Sequence, residues 1–506
     1  MLENVVTVHE FSPEAFIDLV CGDALLRGDP VPDQVTYLAR YADMLQVQTL
    51  VREKHYMDRH YVDEYAFYYS RMLSPPTNAV ERIHLFAKKF SDDTFTDLLE
   101  KSLRSAEDRR AVEEDLMASP DSPHERRGYL GYVSVRPLPS VPIGRTIVAR
   151  LKDELLPRDI WAVNSHAVHL TNLRLHVEGL AFQQQDAAVG ACATAALWSA
   201  LVRIARLDGM RAPTPAEISE AATRSARSPV RPVLSASTGL TVQQLCEATR
   251  AFGFSPEVFS ARTRPEAFVA ALHTYLLSGM PVVLALRGGG VGHAVTAVGF
   301  QLTGSEHPKL QSSVPVRSAA MTKLYVHDDR LGPYAVAYIE PFAHPELGEG
   351  LVFEIEWEGR TQRWVLDTAI APVYPKLRLS VRSLVALAEF VGGAVEDVVG
   401  ADRAPRLRVD FRYERAGEYL SRLSGRVRDP HAATDFLRRV ALSRWCAIMR
   451  WGIGPDDFVE FVYETTDVVR RAAVQNRELL RAVVCLSPAF QQEVSILAEA
   501  FNVLAA

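Results

Sequence analysis

Cysteine is sparse and scattered in this chain of 506 residues: Cys21, Cys192, Cys246, Cys446 and Cys485 show no Cys-x-x-Cys spacing, and their number is odd. That argues against a disulfide framework and against a structural zinc site, and a reducing compartment fits best. Unbroken apolar runs of the roughly 20 residues of a membrane span are also missing. The first ten residues carry acidic side chains and lack a basic stretch followed by an apolar one, so no secretory signal is visible and a soluble, cytoplasmic protein is expected. Nor does one sign of charge dominate. A net charge of −6 and a pI of about 6.2 call for neither nucleic acid nor a membrane surface as partner. Internal repeats and low-complexity tracts are absent, which argues against solenoids and flexible spacers.

What is there is the composition of a globular protein, with 48% hydrophobic and 23% charged residues, in a chain long enough for about two to four domains. Residues 13–115 read as helical, in segments such as 34–51 and 79–90. A connector rich in Pro, Ser and Asp follows at 118–125. Residues 128–137, 145–150 and 169–177 read as strands. Beyond them come a helix over 192–207, a polar linker over 211–237, helices over 241–252 and 264–278, and strands over 281–287, 293–300, 323–328, 334–339, 351–357 and 363–370. A helical half followed by an antiparallel half is an α+β arrangement. The expected organisation is a mostly helical N-terminal region at 1–127, a central domain at 128–376 with its core at 181–374, and an α+β C-terminal domain at 377–506. Between Arg403 and Arg481 lie 16 Arg, no Lys and 11 acidic residues. Solvated helix faces are the plain reading of those arginines, and a surface for an anionic partner is the other.

Four of the five cysteines read as inert core thiols. Cys192 differs, because it opens the helix at 192–207 between small neighbours, Gly190 and Ala191 before it and Ala193 to Ala196 after it. The unpaired N–H groups and positive dipole end of a helix start favour a thiolate, which is the nucleophilic form. Downstream, the loop Gly288-Gly289-Gly290-Val291-Gly292 delivers His293 at the start of an apolar strand, where it can take the thiol proton and return it to a leaving group. A phosphate cradle would need a helix directly after those glycines, and a strand follows instead. Asp328 or Asp329, closing the strand at 323–328, would orient the imidazole as the third member of a triad. Alternation sends them to opposite faces, so one alone can serve, and Asp328 is preferred. An oxyanion donor completes the set: the Cys192 backbone N–H together with a glutamine amide just upstream, Gln185 in preference to Gln184.

Taken together, these motifs resemble a papain-like cysteine peptidase, and are most similar to the bacterial double-glycine leader peptidases, over roughly residues 181–374. The resemblance implies a protease acting on a protein or peptide substrate through a Cys192, His293 and Asp328 triad, without a cofactor or metal. Two departures are visible. The family's glutamine usually lies six positions before the cysteine, where this chain has Asp186, with Gln185 at seven. The interval from His293 to Asp328 is also longer than the family's, and residues 301–321 read as an insertion.

A second constellation, Glu53, His55, His60, Asp63 and Glu64 with Tyr56, Tyr61, Tyr65, Tyr68 and Tyr69 interleaved, has no metal-binding signature. It is expected to be an aromatic helix face packed on a sheet. The triad leaves open whether a Cys192 thioester is resolved by water, as in a peptidase or isopeptidase, or by another acceptor, as in an amidase, deamidase or acyltransferase. A non-catalytic interaction module is the remaining reading, and it gives no reason for the triad.

Overall fold

The segment Val80 to Phe86 is buried along nearly its whole length, which seven residues achieve as the middle strand of a sheet. In the computed structural model of the chain it is the third of five strands that pair in sequence order: β1 (Val6–Glu10), β2 (Thr49–Tyr56), β3 (Val80–Phe86), β4 (Tyr129–Val135) and β5 (Ile143–Val148). The structure describes residues 4–121, 127–151, 159–185, 192–224, 239–262, 264–303, 306–344, 348–424, 430–454, 457–467, 478–485 and 490–505.

Helices α1 (Pro13–Leu26), α2 (Asp33–Met44), α3 (Arg59–Phe67), α4 (Asp92–Arg104) and α5 (Ala106–Met117) connect these strands. Ser12, Asp58, Ser91 and Ser105 cap α1, α3, α4 and α5 by accepting backbone N–H groups of the first turn. Helices hold most of the residues in regular elements up to residue 127, but the reading of 34–51 and 79–90 as wholly helical is corrected. Residues 79–90 hold β3, and the helix read over 34–51 stops at Met44, before Gln46 with its φ of 59° and the start of β2 at Thr49. A central strand buried on both faces loses the polar alternation that marks a strand in sequence. The boundary expected at 127/128 falls inside this sheet, between β3 and β4. The single strand expected at 169–177 is a hairpin, β6 (Asn164–Leu170) and β7 (Leu173–Gly179), turning at Thr171 with a φ of 53°.

Helix α6 (Cys192–Leu207) is described from Cys192 onward, and residues 186–191 before it lie outside the described residues. Two helices follow, α7 (Pro215–Thr223) and α8 (Val242–Ala251), each opened by a capping box, Thr214 with Glu217 and Thr241 with Gln244. Next come β8 (Ser255–Ser260), α9 (Pro265–Leu277), β9 (Val282–Gly288), β10 (Val291–Leu302), β11 (Met321–Asp328), β12 (Gly332–His344), β13 (Gly348–Trp357) and β14 (Arg360–Val373). Strands β8 to β14 pair in the order β13-β12-β11-β10-β9-β14-β8. Helices and antiparallel sheets together make the chain α+β.

The C-terminal part adds α10 (Val381–Val399), β15 (Arg408–Arg415), α11 (Ala416–Ser424), α12 (Pro430–Arg439), β16 (Trp445–Gly452), β17 (Phe458–Glu464), β18 (Leu480–Cys485), α13 (Gln491–Ala500) and β19 (Leu504–Ala505). By its contacts the chain divides into two units, one of Met1–Phe252, Val283–Val298 and Tyr325–Val336, the other of Gly253–Val282, Gly299–Leu324 and Ala337–Ala506. The boundary expected at 376/377 lies within the second.

Several arginines of the stretch from Arg403 to Arg481 are engaged internally, whereas Arg438 and Arg439 are exposed at the end of α12, as their reading as a solvated helix face expects. Arg450 holds the buried Asp410 through two guanidinium nitrogens, at 2.9 and 3.2 Å, directly across from it on β15 and β16. Arg412 and Arg422 reach Glu414 and the fully buried Glu460, while Arg403 and Arg408 pair with Glu493 and Glu306. Arg426, Arg428, Arg470, Arg471 and Arg477 lie outside the described residues. Because removing one partner strands a buried charge, Asp410→Ala is expected to lower unfolding stability by about 3–5 kcal/mol. A denaturant midpoint within experimental error of wild type would show that Arg450 finds water instead.

Candidate active site

Three segments of the first unit carry the site. At the first, α6 opens on Cys192, whose side chain is half-exposed while Ala193, Thr194, Ala196 and Leu197 behind it are buried. At the second, β9 and β10 are joined across Gly289 and Gly290, with φ of 55° and 77°. Two successive left-handed residues suit a tight hairpin turn, which explains the glycines without any phosphate. The turn sets His293 at the third position of β10, and Thr296, three residues on, donates from Oγ1 to the carbonyl of Ala196 in α6 at 2.8 Å. That bond ties the strand to the helix behind the thiol. At the third, β11 ends at Asp328, and the chain turns through a Leu331 N–H donated to the Asp328 carbonyl at 2.9 Å.

These ties bring Cys192, His293 and Asp328 together. The His293 Nε2 lies 2.9 Å from Asp328 Oδ1, and Cys192 is near enough to the same ring to act on its titration. Asp328 Oδ1 also accepts the Arg330 backbone N–H at 2.9 Å, which fixes the carboxylate in turn. Burial alone would lower the His293 pKa. The Asp328 charge and hydrogen bond, aided by the nearby Cys192 and the charge of Asp329, overcome it and raise the pKa to about 10. Burial likewise works to raise Asp328, but the imidazolium and the Arg330 N–H hold it below its ordinary range. His327, one residue from Asp328, shows the contrast: packed against Phe182 and Tyr334, it is pushed down to about 3 by burial. Opposite shifts in two buried histidines single out His293 as the one held charged.

The expectation that Asp328 and Asp329 point to opposite faces is corrected. Strand β11 stops at Asp328, so alternation no longer governs Asp329, and its Oδ1 lies 3.9 Å from His293 Nε2. Burial raises Asp329 to about 7, and neither of its carboxylate oxygens has a hydrogen-bond partner among the described residues. Donor atoms of His293, Asp328 and Asp329 lie within 4.8 Å of one another, a spacing that could hold a cation; in this structure His293 Nε2 and Asp328 Oδ1 engage each other.

Of the two glutamines, Gln184 is buried and its amide oxygen takes the Ile143 N–H at 3.1 Å, binding it to β5 rather than to the thiol. Gln185 is half-buried and follows it directly; Asp186 to Ala191 lie outside the described residues. In the second constellation, α3 packs Tyr61 with Tyr69 and Val80, and His60 meets the edge of Trp198 at 5.3 Å between centroids, as an aromatic face should. Comparison of the chain with protein-family models, with curated proteins and with solved structures found no match.

Proposed function

We propose that the chain is a papain-like cysteine hydrolase, acting on peptide or isopeptide bonds through a thioester at Cys192. The observation that supports this reading is the placement of His293 beside Cys192 with its Nε2 2.9 Å from Asp328 Oδ1. In the resting centre His293 already holds the proton as an imidazolium, and the Cys192 sulfur attacks the acyl carbon to form a C–S bond. The displaced electron pair rests on the oxyanion, held by the Cys192 N–H and the Gln185 amide. Collapse breaks the C–N bond, His293 protonates the departing amine, and water then cleaves the thioester with the proton passing back through His293. An amine in place of that water gives acyl transfer with the same residues.

The first test is thiol reactivity. Cys192 is expected to alkylate with iodoacetamide faster than every other cysteine across pH 5 to 9. Burial pushes the thiol pKa of Cys21 up to about 11 and raises those of Cys246 and Cys446. Cys485 is half-exposed like Cys192 and controls for access alone. Peptide mapping that shows Cys485 reacting as fast as Cys192 would sink the activated-thiol reading. Substrates are then sought by comparing proteomes treated with wild type and with Cys192→Ala.

A further inference from the structure

The carboxylate of Glu64 in α3 is fully buried, a position that is costly unless the charge is paired and hydrogen-bonded. Both its oxygens are used. Oε1 accepts from Gln183 Nε2, and Oε2 lies 3.5 Å from Arg136 Nη1. Arg136 donates from Nη2 to the carbonyls of Val141 at 2.8 Å and Gln184 at 3.2 Å. Phe182 exchanges two backbone hydrogen bonds with Thr146, at 2.8 and 2.9 Å, and Ser199 of α6 donates to the Ala181 carbonyl at 2.7 Å. Residues 181–184 are therefore held at every position, and the next residue is Gln185.

The backbone bonds and apolar packing would hold this segment without Glu64. A hydrophobic side chain of similar volume avoids the desolvation of a buried charge. What the carboxylate adds is direction, because it fixes the Gln183 amide and, through Arg136, the Gln184 carbonyl, leaving the peptide that leads into Gln185 one orientation. We propose that Glu64 and Gln183 are positioning residues of the Cys192 centre, which hold the segment that presents the Gln185 amide to the oxyanion. The N-terminal region thus takes part in acyl transfer without touching substrate. This inference rests on the reading of Cys192 as a thioester-forming nucleophile.

Two reactions of one sulfur separate this role from a merely structural one. Alkylation by iodoacetamide displaces iodide at carbon and forms no oxyanion, whereas acylation by p-nitrophenyl acetate forms a C–S bond and breaks the ester C–O bond through one, releasing p-nitrophenolate. Both rates are measured at Cys192 in the full chain for wild type, Gln185→Ala, Gln183→Met and Glu64→Gln. Gln183→Met keeps the Glu64–Arg136 pair, so it serves where Glu64→Gln fails to fold. Acylation is expected to fall about 10²-fold in the positioning variants, as misplacement of a catalytic group by about 1 Å does. Gln185→Ala should fall as far or further, with alkylation within about twofold of wild type throughout. Equal falls in both rates, or no fall in acylation with Gln183→Met, would overturn the positioning role. A wild-type Cys192 that alkylates but never acylates would overturn the nucleophile reading, and this inference with it.

Discussion

Cys192→Ala and His293→Ala are each expected to lower turnover by on the order of 10⁶-fold, and the double variant no further than either alone. The thiol gains its reactivity from the imidazole that takes its proton, and an imidazole without the thiol has no acyl group to hand on, so either loss removes the whole unit. His293 is 4% exposed, which makes its alanine variant a small cavity in a packed region. Circular dichroism and the thermal midpoint of each variant must accompany the rates. Effects that multiply in the double variant would show two groups acting separately, contrary to the proposed single unit.

Why this pair was legible in sequence, and its surroundings were not, follows from the range of the interactions. The glycine turn before His293 and the end of β11 at Asp328 are local features, each set by a few residues of known backbone preference. Strand β3 was not legible, because burial on both faces erased its alternation and the flanking helices made a helical reading continuous. The direction of Asp329 departs from alternation for a one-residue reason: the strand ends before it, and a side chain beyond the last pleat is aimed by the turn. The helix α7 inside the expected linker had a local signal in Thr214 and Glu217 three residues apart. The Glu64, Arg136 and Gln183 bridge had none, since it joins positions 64, 136 and 183, which only the folded chain brings together.

Asp328→Asn is expected to lower turnover by about 10²- to 10⁴-fold and to move the alkaline limb of its pH profile downward. With its pKa raised from 6.5 to about 10, His293 remains an imidazolium through neutral pH, so the wild-type limb should fall near pH 10. Without the carboxylate, burial dominates and the ring loses its proton below or near 6.5. Stability follows the same sign. The contribution of charged His293 is complete below pH 6.5 and is lost as pH rises through about 10, while that of depressed Asp328 is present above its ordinary range and lost as pH falls through its folded pKa. The stability gap between wild type and Asp328→Asn should therefore be largest between about pH 4 and 6.5, and should close above 10. Asp329→Asn tests the neighbour. At 3.9 Å it acts on the ring by charge alone, and burial keeps it protonated up to about pH 7. Its loss should cost less than about tenfold below pH 7, with a small downward shift of the alkaline limb above it. If Asp329→Asn proves as damaging as Asp328→Asn at pH 6, the orienting carboxylate is shared between them; if the limb stays near pH 10 in Asp328→Asn, the group titrating there is not His293.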